Sequence, residues 1–183
     1  MQLAMSLTDK DLLRFQAAHP DSRMELRGGK IIVMSPSDHA SEVIVIRLGG
    51  RLEAWATERK LGFVAGSNAG FNLPNGDVVA PDVSFVAAER MPTSPRGFAS
   101  VVPNLVVEVK SPSDSSGELR EKLSMLRALG ADTAVLIDPD EHTIEIDSEG
   151  EPQRTLTDAD ILEFPQLLPG WSMRVSELWP KPL

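Results

Sequence analysis

The chain reads as a mixed α/β protein, and three observations carry that reading. Leu105, Val106 and Val107 form an apolar run too short for a helix, which fits a strand buried on both faces. A helical stretch over residues 115–129 and a second buried run, Thr133-Ala134-Val135-Leu136-Ile137, come next, making a strand–helix–strand crossover that should be right-handed. Elsewhere, alternating hydrophobicity and glycine-centred turns mark antiparallel strands. The sheet is therefore expected to be mixed.

Taken in order, Thr8 is placed to cap a short helix to about residue 16, with Leu12, Leu13 and Phe15 as its apolar residues. Pro20-Asp21-Ser22 ends it. Residues 24–34 read as a hairpin turning at Arg27-Gly28-Gly29. Ser35-Pro36-Ser37-Asp38 opens a long helix to about residue 60, with Ile44, Leu48, Leu52 and Trp55 on one buried stripe. Gly49-Gly50 in its middle costs roughly 1 kcal/mol per glycine relative to alanine, which predicts close packing there. Short strands at 63–65 and 70–73 precede Asn75-Gly76-Asp77, a hairpin signal, and one strand over 78–86 then carries Asp82. Residues 89–100, with Pro92, Pro95 and Gly97, form a loop able to cover a site.

In the next helix, capped by Ser115 or Ser116 and closed by Gly130, Leu119, Leu123, Leu126 and Leu129 span an arc of about 120°. Lys122 falls inside that arc. A lysine on a core-facing stripe must snorkel out or meet a carboxylate, and Asp82 and Glu108 are the expected partners. Residues 143–147 alternate as an antiparallel edge strand. From Asp160 onward we expect short extended pieces bearing Phe164, Leu167, Leu168, Trp171 and Trp179, with a last helical turn at 175–178.

Composition bounds the function. The 183 residues suit one domain over 1–183, and 42% hydrophobic with 25% charged residues is the balance of a globular chain. No cysteine is present, which excludes disulfides and thiolate metal sites. No apolar run approaches the roughly 18 residues of a spanning helix, and the N-terminus lacks a basic-then-apolar leader, so we expect a cytoplasmic protein without a membrane partner. The net charge of −9 opposes tight non-specific binding of nucleic acid. It is unevenly placed: residues 128–183 hold 3 Lys/Arg against 12 Asp/Glu, so the part before them is neutral.

Glu108 and Lys110 are two apart on the buried strand, so their side chains should leave it on one face, at its C-terminal edge, where open α/β sheets place their sites. Asp82 follows Pro81 at the start of another apolar run. Two carboxylates of this kind can hold Mg²⁺ or Mn²⁺ with a backbone carbonyl and water. A lysine can then orient or deprotonate the attacking water, or offset charge on a phosphate. The same residues also read as a turn cap at Asp82 and a solvated Glu108–Lys110 pair worth under about 1 kcal/mol.

At these residues the chain resembles the PD-(D/E)xK, restriction-endonuclease-like superfamily, and within it the bacterial Uma-type endonuclease family. The likeness runs through Met24-Glu25-Leu26, Gly29, residues 31–36, His39, Pro81-Asp82-Val83-Ser84, residues 103–114, Leu119-Arg120-Glu121-Lys122-Leu123 and Leu167-Leu168-Pro169-Gly170-Trp171. The resemblance implies a mixed sheet flanked by a long N-terminal helix and a crossover helix, with an extra N-terminal hairpin. It implies an endonuclease using Mg²⁺ (or Mn²⁺) on nucleic acid, DNA foremost, or alternatively an accessory binding module that keeps the fold without turnover. Asp82, Glu108 and the Val109 carbonyl would be the metal ligands. Lys110 is favoured as the catalytic lysine with Lys122 supporting, although many relatives have an apolar residue at the former position and use a helix lysine. Glu25 and His39 also match family positions; the first reads equally as an exposed strand carboxylate, the second as a capping group. The family usually shows tyrosine where this chain has Leu126, and the chain has no tyrosine. A two-fold homodimer could gather Arg47, Arg51, Arg59 and Lys60 from two copies of the long helix.

Overall fold

The structure is a computed structural model, and it describes residues 6–180. Helix α1 (Asp9–Ala18) begins with a capping box, Thr8 and Asp11 each satisfying the other's backbone N–H. Strands β1 (Arg23–Arg27) and β2 (Lys30–Met34) form the expected hairpin. Gly28 and Gly29 take φ of 56° and 72°, the left-handed pair that a two-residue turn requires. Helix α2 (His39–Arg59) is capped by Asp38, whose carboxylate accepts from the Ala40 and Ser41 N–H groups. Then come β3 (Gly62–Gly66), β4 (Phe71–Asn72), β5 (Val78–Val79), β6 (Val83–Ala87), β7 (Leu105–Val109) and α3 (Ser116–Ala128). The chain finishes through β8 (Thr133–Asp138), β9 (Thr143–Ser148), β10 (Arg154–Leu156), β11 (Ile161–Glu163), β12 (Ser172–Arg174) and a 3₁₀ turn at Val175–Glu177. The short pieces and last helical turn expected after Asp160 are thus present, except that residues 181–183 lie outside the described residues.

The main sheet has the order β10-β9-β8-β7-β6-β3, and a smaller one the order β2-β1-β5-β4. Within the main sheet β7 and β8 are parallel, joined through α3, and the other neighbours are antiparallel. The mixed α/β architecture is the expected one. Ile44, Leu48 and Leu52 of α2 pack with Leu105, Val107 and Val109 on one face of β7. Val106 packs on the other face with Leu123 and Leu126 of α3. Strand alternation therefore sends Glu108 toward α3.

Three local expectations fail. Residues 78–86 are not one strand: β5 belongs to the small sheet and β6 to the main one, and the chain changes sheets across Ala80-Pro81-Asp82. Proline there cannot donate to a ladder, so the break costs no hydrogen bond at that residue. Strand β9 is not an edge, because β10 folds back and pairs with it. Gly49 meets Val83 only at ordinary contact distance and Gly50 faces open space, so their pairing does not mark an unusually close approach. Among the described residues no helix is long and apolar enough to cross a membrane.

Candidate active site

The site is built where the sheet switch meets the C-terminal end of β7. Asp82, the last residue before β6, points across to β7, and its Oδ2 accepts the Val109 N–H at 2.9 Å. Its other oxygen lies 3.9 Å from an Arg23 guanidinium nitrogen. Beside it, Glu108 leaves β7 on the α3 side and its Oε1 lies 2.8 Å from Nζ of Lys122. That ammonium is also 2.8 Å from Oε1 of Glu25 on β1. The same Glu25 oxygen accepts the Ala80 N–H at 2.8 Å, two residues before Asp82, and its second oxygen is 3.3 Å from Arg27 Nε. The side chains of Glu25, Lys122 and Glu108 are only 1%, 2% and 5% exposed. Three charges are thus buried together, stapling the hairpin, the crossover helix and the central strand.

Burial dominates the electrostatics. It pushes the Glu108 carboxyl up to about 7, Lys122 pulling it back and Asp82 and Glu25 adding to the rise. Asp82 is also raised, chiefly by burial, against the opposing Val109 N–H, Lys122 and Arg23, with Glu42 of α2 pushing it further up. Burial alone would depress Lys122, but Glu108 and Glu25 together hold it above the ordinary lysine value. Burial therefore makes both acids hold a proton more readily than in water, while the lysine stays charged between Glu108 and Glu25.

The other expected residues fall differently. Lys110 lies one residue past β7 and does not share Glu108's surroundings: its ammonium reaches Asp140 at 2.8 Å and Asp138 at 3.4 Å, lining a separate cavity with His142 and Trp179. Its N–H continues the β7–β8 ladder by donating to Ile137 O, and its carbonyl accepts from the Ser41 hydroxyl. Lys122 meets Glu108 as expected but takes Glu25, rather than Asp82, as its second carboxylate. Glu25 is buried, not an exposed strand carboxylate. His39 is exposed at the first position of α2, and its imidazole makes no hydrogen bond among the described residues. Val109 contributes its N–H to Asp82 and its side chain to the core. Arg47 and Arg51, invoked above for a two-fold pair, are engaged within the chain, by the Leu178 and Trp179 carbonyls and by Glu177.

Arg23 was not singled out by the sequence, although it shares a strand face with Glu25 and Arg27 at the period of two. It stands between Asp82 and a cleft of about 560 Å³ lined also by Glu25, Ala80, Ser35, Asn68 and Phe98. Phe98 reaches this cleft from the 89–100 loop, which Arg90 anchors through the Val102 and Gly130 carbonyls and Asp132.

As a donor set for a divalent cation, the centre offers Asp82 and Glu108. Among the described residues no three His, Asp or Glu come together as a metal cluster. Two carboxylates nonetheless suit Mg²⁺, which commonly takes one or two and keeps several waters. The donor chemistry of the pair fits such a cation, and one bound there would favour the charged form of both acids against the burial that raises them.

Comparison with known proteins agrees with the fold. The chain matches the Uma2 family, described as "putative restriction endonuclease", over residues 9–176, and belongs to it. It is similar to the crystal structure of a "putative nuclease belonging to DUF820" from Anabaena variabilis, with a TM-score of 0.81 at 17% identity over 94% of this chain and 97% of that one. A weaker likeness, with a TM-score of 0.36 at 16% identity over 60% of this chain and 66% of the other, is to the DrdV–DNA complex. No curated protein matches the sequence.

Proposed function

We propose that the protein is a divalent-metal-dependent nuclease, hydrolysing phosphodiester bonds of nucleic acid, DNA foremost. The observation that carries the reading is the buried Glu25–Lys122–Glu108 cluster opening on Asp82. Ion clusters of this kind are costly to bury and are weak devices for stability, so a catalytic use is the better account of them. Family membership supports the same chemistry.

In this reading Asp82, Glu108 and the Val109 carbonyl hold Mg²⁺ or Mn²⁺, which when bound supplies Lewis acidity and a more acidic water. Lys122 serves as the catalytic lysine. Held on both sides and charged, it offsets negative charge gathering on the phosphoryl oxygens and does not act as a free base. Glu25 is a positioning residue: it fixes Lys122 and, through the Ala80 N–H, the approach of the chain to Asp82. Lys110 orders the end of β8 through Asp138 and Asp140 and takes no part in the reaction.

Calorimetric titration of Mg²⁺ and Mn²⁺ tests this without a choice of substrate. Wild type should show one site, and Asp82→Ala should show none. If both bind equally, Asp82 is not a ligand. If neither binds, and cleavage is insensitive to chelation, the metal reading falls.

A further inference from the structure

The cleft beside Asp82 is too small and too weakly cationic for a duplex. Its volume of about 560 Å³ lies in the range of small-ligand clefts, about 300–1,000 Å³. Among the described residues Arg23 is the one cation lining it, and Asp21 and Glu25 line it too. Duplex DNA brings one negative charge per about 1.7 Å of axis, and its binding rests on many such contacts. A chain of net charge −9 with one guanidinium at the mouth offers the opposite balance. One phosphate and one base are what the cleft matches.

Arg23 stands at the threshold. Its guanidinium lies 3.4 Å from the Ala80 carbonyl and 3.9 Å from Asp82 Oδ1, and its side chain remains 29% exposed. A phosphate held there lies beside Asp82. Beyond it, the cleft wall presents Met24, Met34, Pro36 and Phe98, an apolar and aromatic surface suited to the face of an unstacked base, with Ser22 and Asn68 as hydrogen-bonding groups. A paired base cannot enter without being flipped out of its stack, which costs a few kcal/mol in an intact duplex and much less in a single strand or frayed end.

We infer that the cleft is a nucleotide subsite for an unpaired nucleic-acid strand, with Arg23 as its phosphate-binding residue. The inference rests on the nuclease reading and narrows its substrate to single strands, frayed ends or flaps. Fluorescence anisotropy tests it, with a short labelled oligothymidylate and a hairpin duplex of equal nucleotide count, in Ca²⁺ buffer. Wild type should hold the single strand at least about ten-fold tighter than the duplex. Arg23→Gln should lose about ten-fold on the single strand, the loss of one charge-assisted contact, with unchanged melting temperature. Arg120→Gln, whose arginine pairs with Glu145 away from the cleft, should lose nothing. A ribose strand of matching sequence shows which sugar is preferred, and binding of either counts in favour. Equal binding of strand and duplex, or indifference to Arg23→Gln, overturns the subsite. If duplex is then cleaved by wild type and not by Lys122→Met, the nuclease reading survives alone. If neither nucleic acid is bound or cleaved, both readings fall together.

Discussion

Lys110 and Lys122 each bridge two carboxylates, yet the two centres differ in nearly every physical respect. Lys122 is 2% exposed between Glu25 and Glu108, which are themselves buried. Lys110 is 16% exposed, and one of its partners, Asp140, is 65% exposed. Its ammonium is held above the usual lysine value chiefly by the hydrogen bond to Asp140, an interaction that water and salt weaken. At Lys122 the same arrangement sits in a low-dielectric interior, where each charge depends on the others. The lesson is that adjacency in sequence to Glu108 counts for less than the face of the strand on which the ammonium ends.

Substitutions should separate the two centres. The largest effect is expected for Lys122→Met, which strands two buried carboxylates: urea denaturation at neutral pH should show a loss of roughly 3–5 kcal/mol, together with loss of cleavage. An intermediate effect is expected for Glu108→Gln and depends on pH. The Glu108 carboxyl binds its proton more tightly in the folded chain than in the unfolded one, moving from 4.5 to about 7. It therefore contributes stability that is fully present below about pH 4.5 and is lost as pH rises through about 7. In metal-free buffer, Glu108→Gln should remove that decline and be more stable than wild type at pH 8, by on the order of 2 kcal/mol, while losing metal-dependent cleavage. A wild-type profile flat from pH 5 to 8 would show that Glu108 is not the strained acid described. The smallest effect is expected for Lys110→Met, a change within about 1 kcal/mol and cleavage retained. Equal losses at Lys110 and Lys122 would erase the distinction.

Much of the fold was legible because its signals are local. The Thr8 and Asp38 caps, the Gly28-Gly29 turn and the two buried runs at β7 and β8 each depend on residues close in sequence. The helical phase of α3 placed Lys122 on the inner arc before any partner was known, and Glu108 was placed at the end of β7 by its apolar neighbours. What stayed hidden is non-local. The Glu25–Lys122 contact spans 97 positions, and nothing in the hairpin's own pattern separates a buried carboxylate from an exposed one. The sheet change at Ala80-Pro81-Asp82 was masked by apolar residues on both sides, which read as one continuous strand. The position of Lys110 depends on acids at the end of β8 and just after it, a strand laid beside it by the crossover.

The bond from the Val109 N–H to Asp82 spends a main-chain donor of the central strand on a side chain. Below the opening of the strand itself, that amide exchanges its proton with solvent when Asp82 swings away, the flanking Glu108 and Val109 side chains being buried. Its deuterium uptake is thus an internal clock for the carboxylate: it counts departures of Asp82 from its resting place with no substrate, no ion and no label on the protein. A ligand that draws Asp82 to itself would speed that clock, and one that merely tightens the fold would slow it.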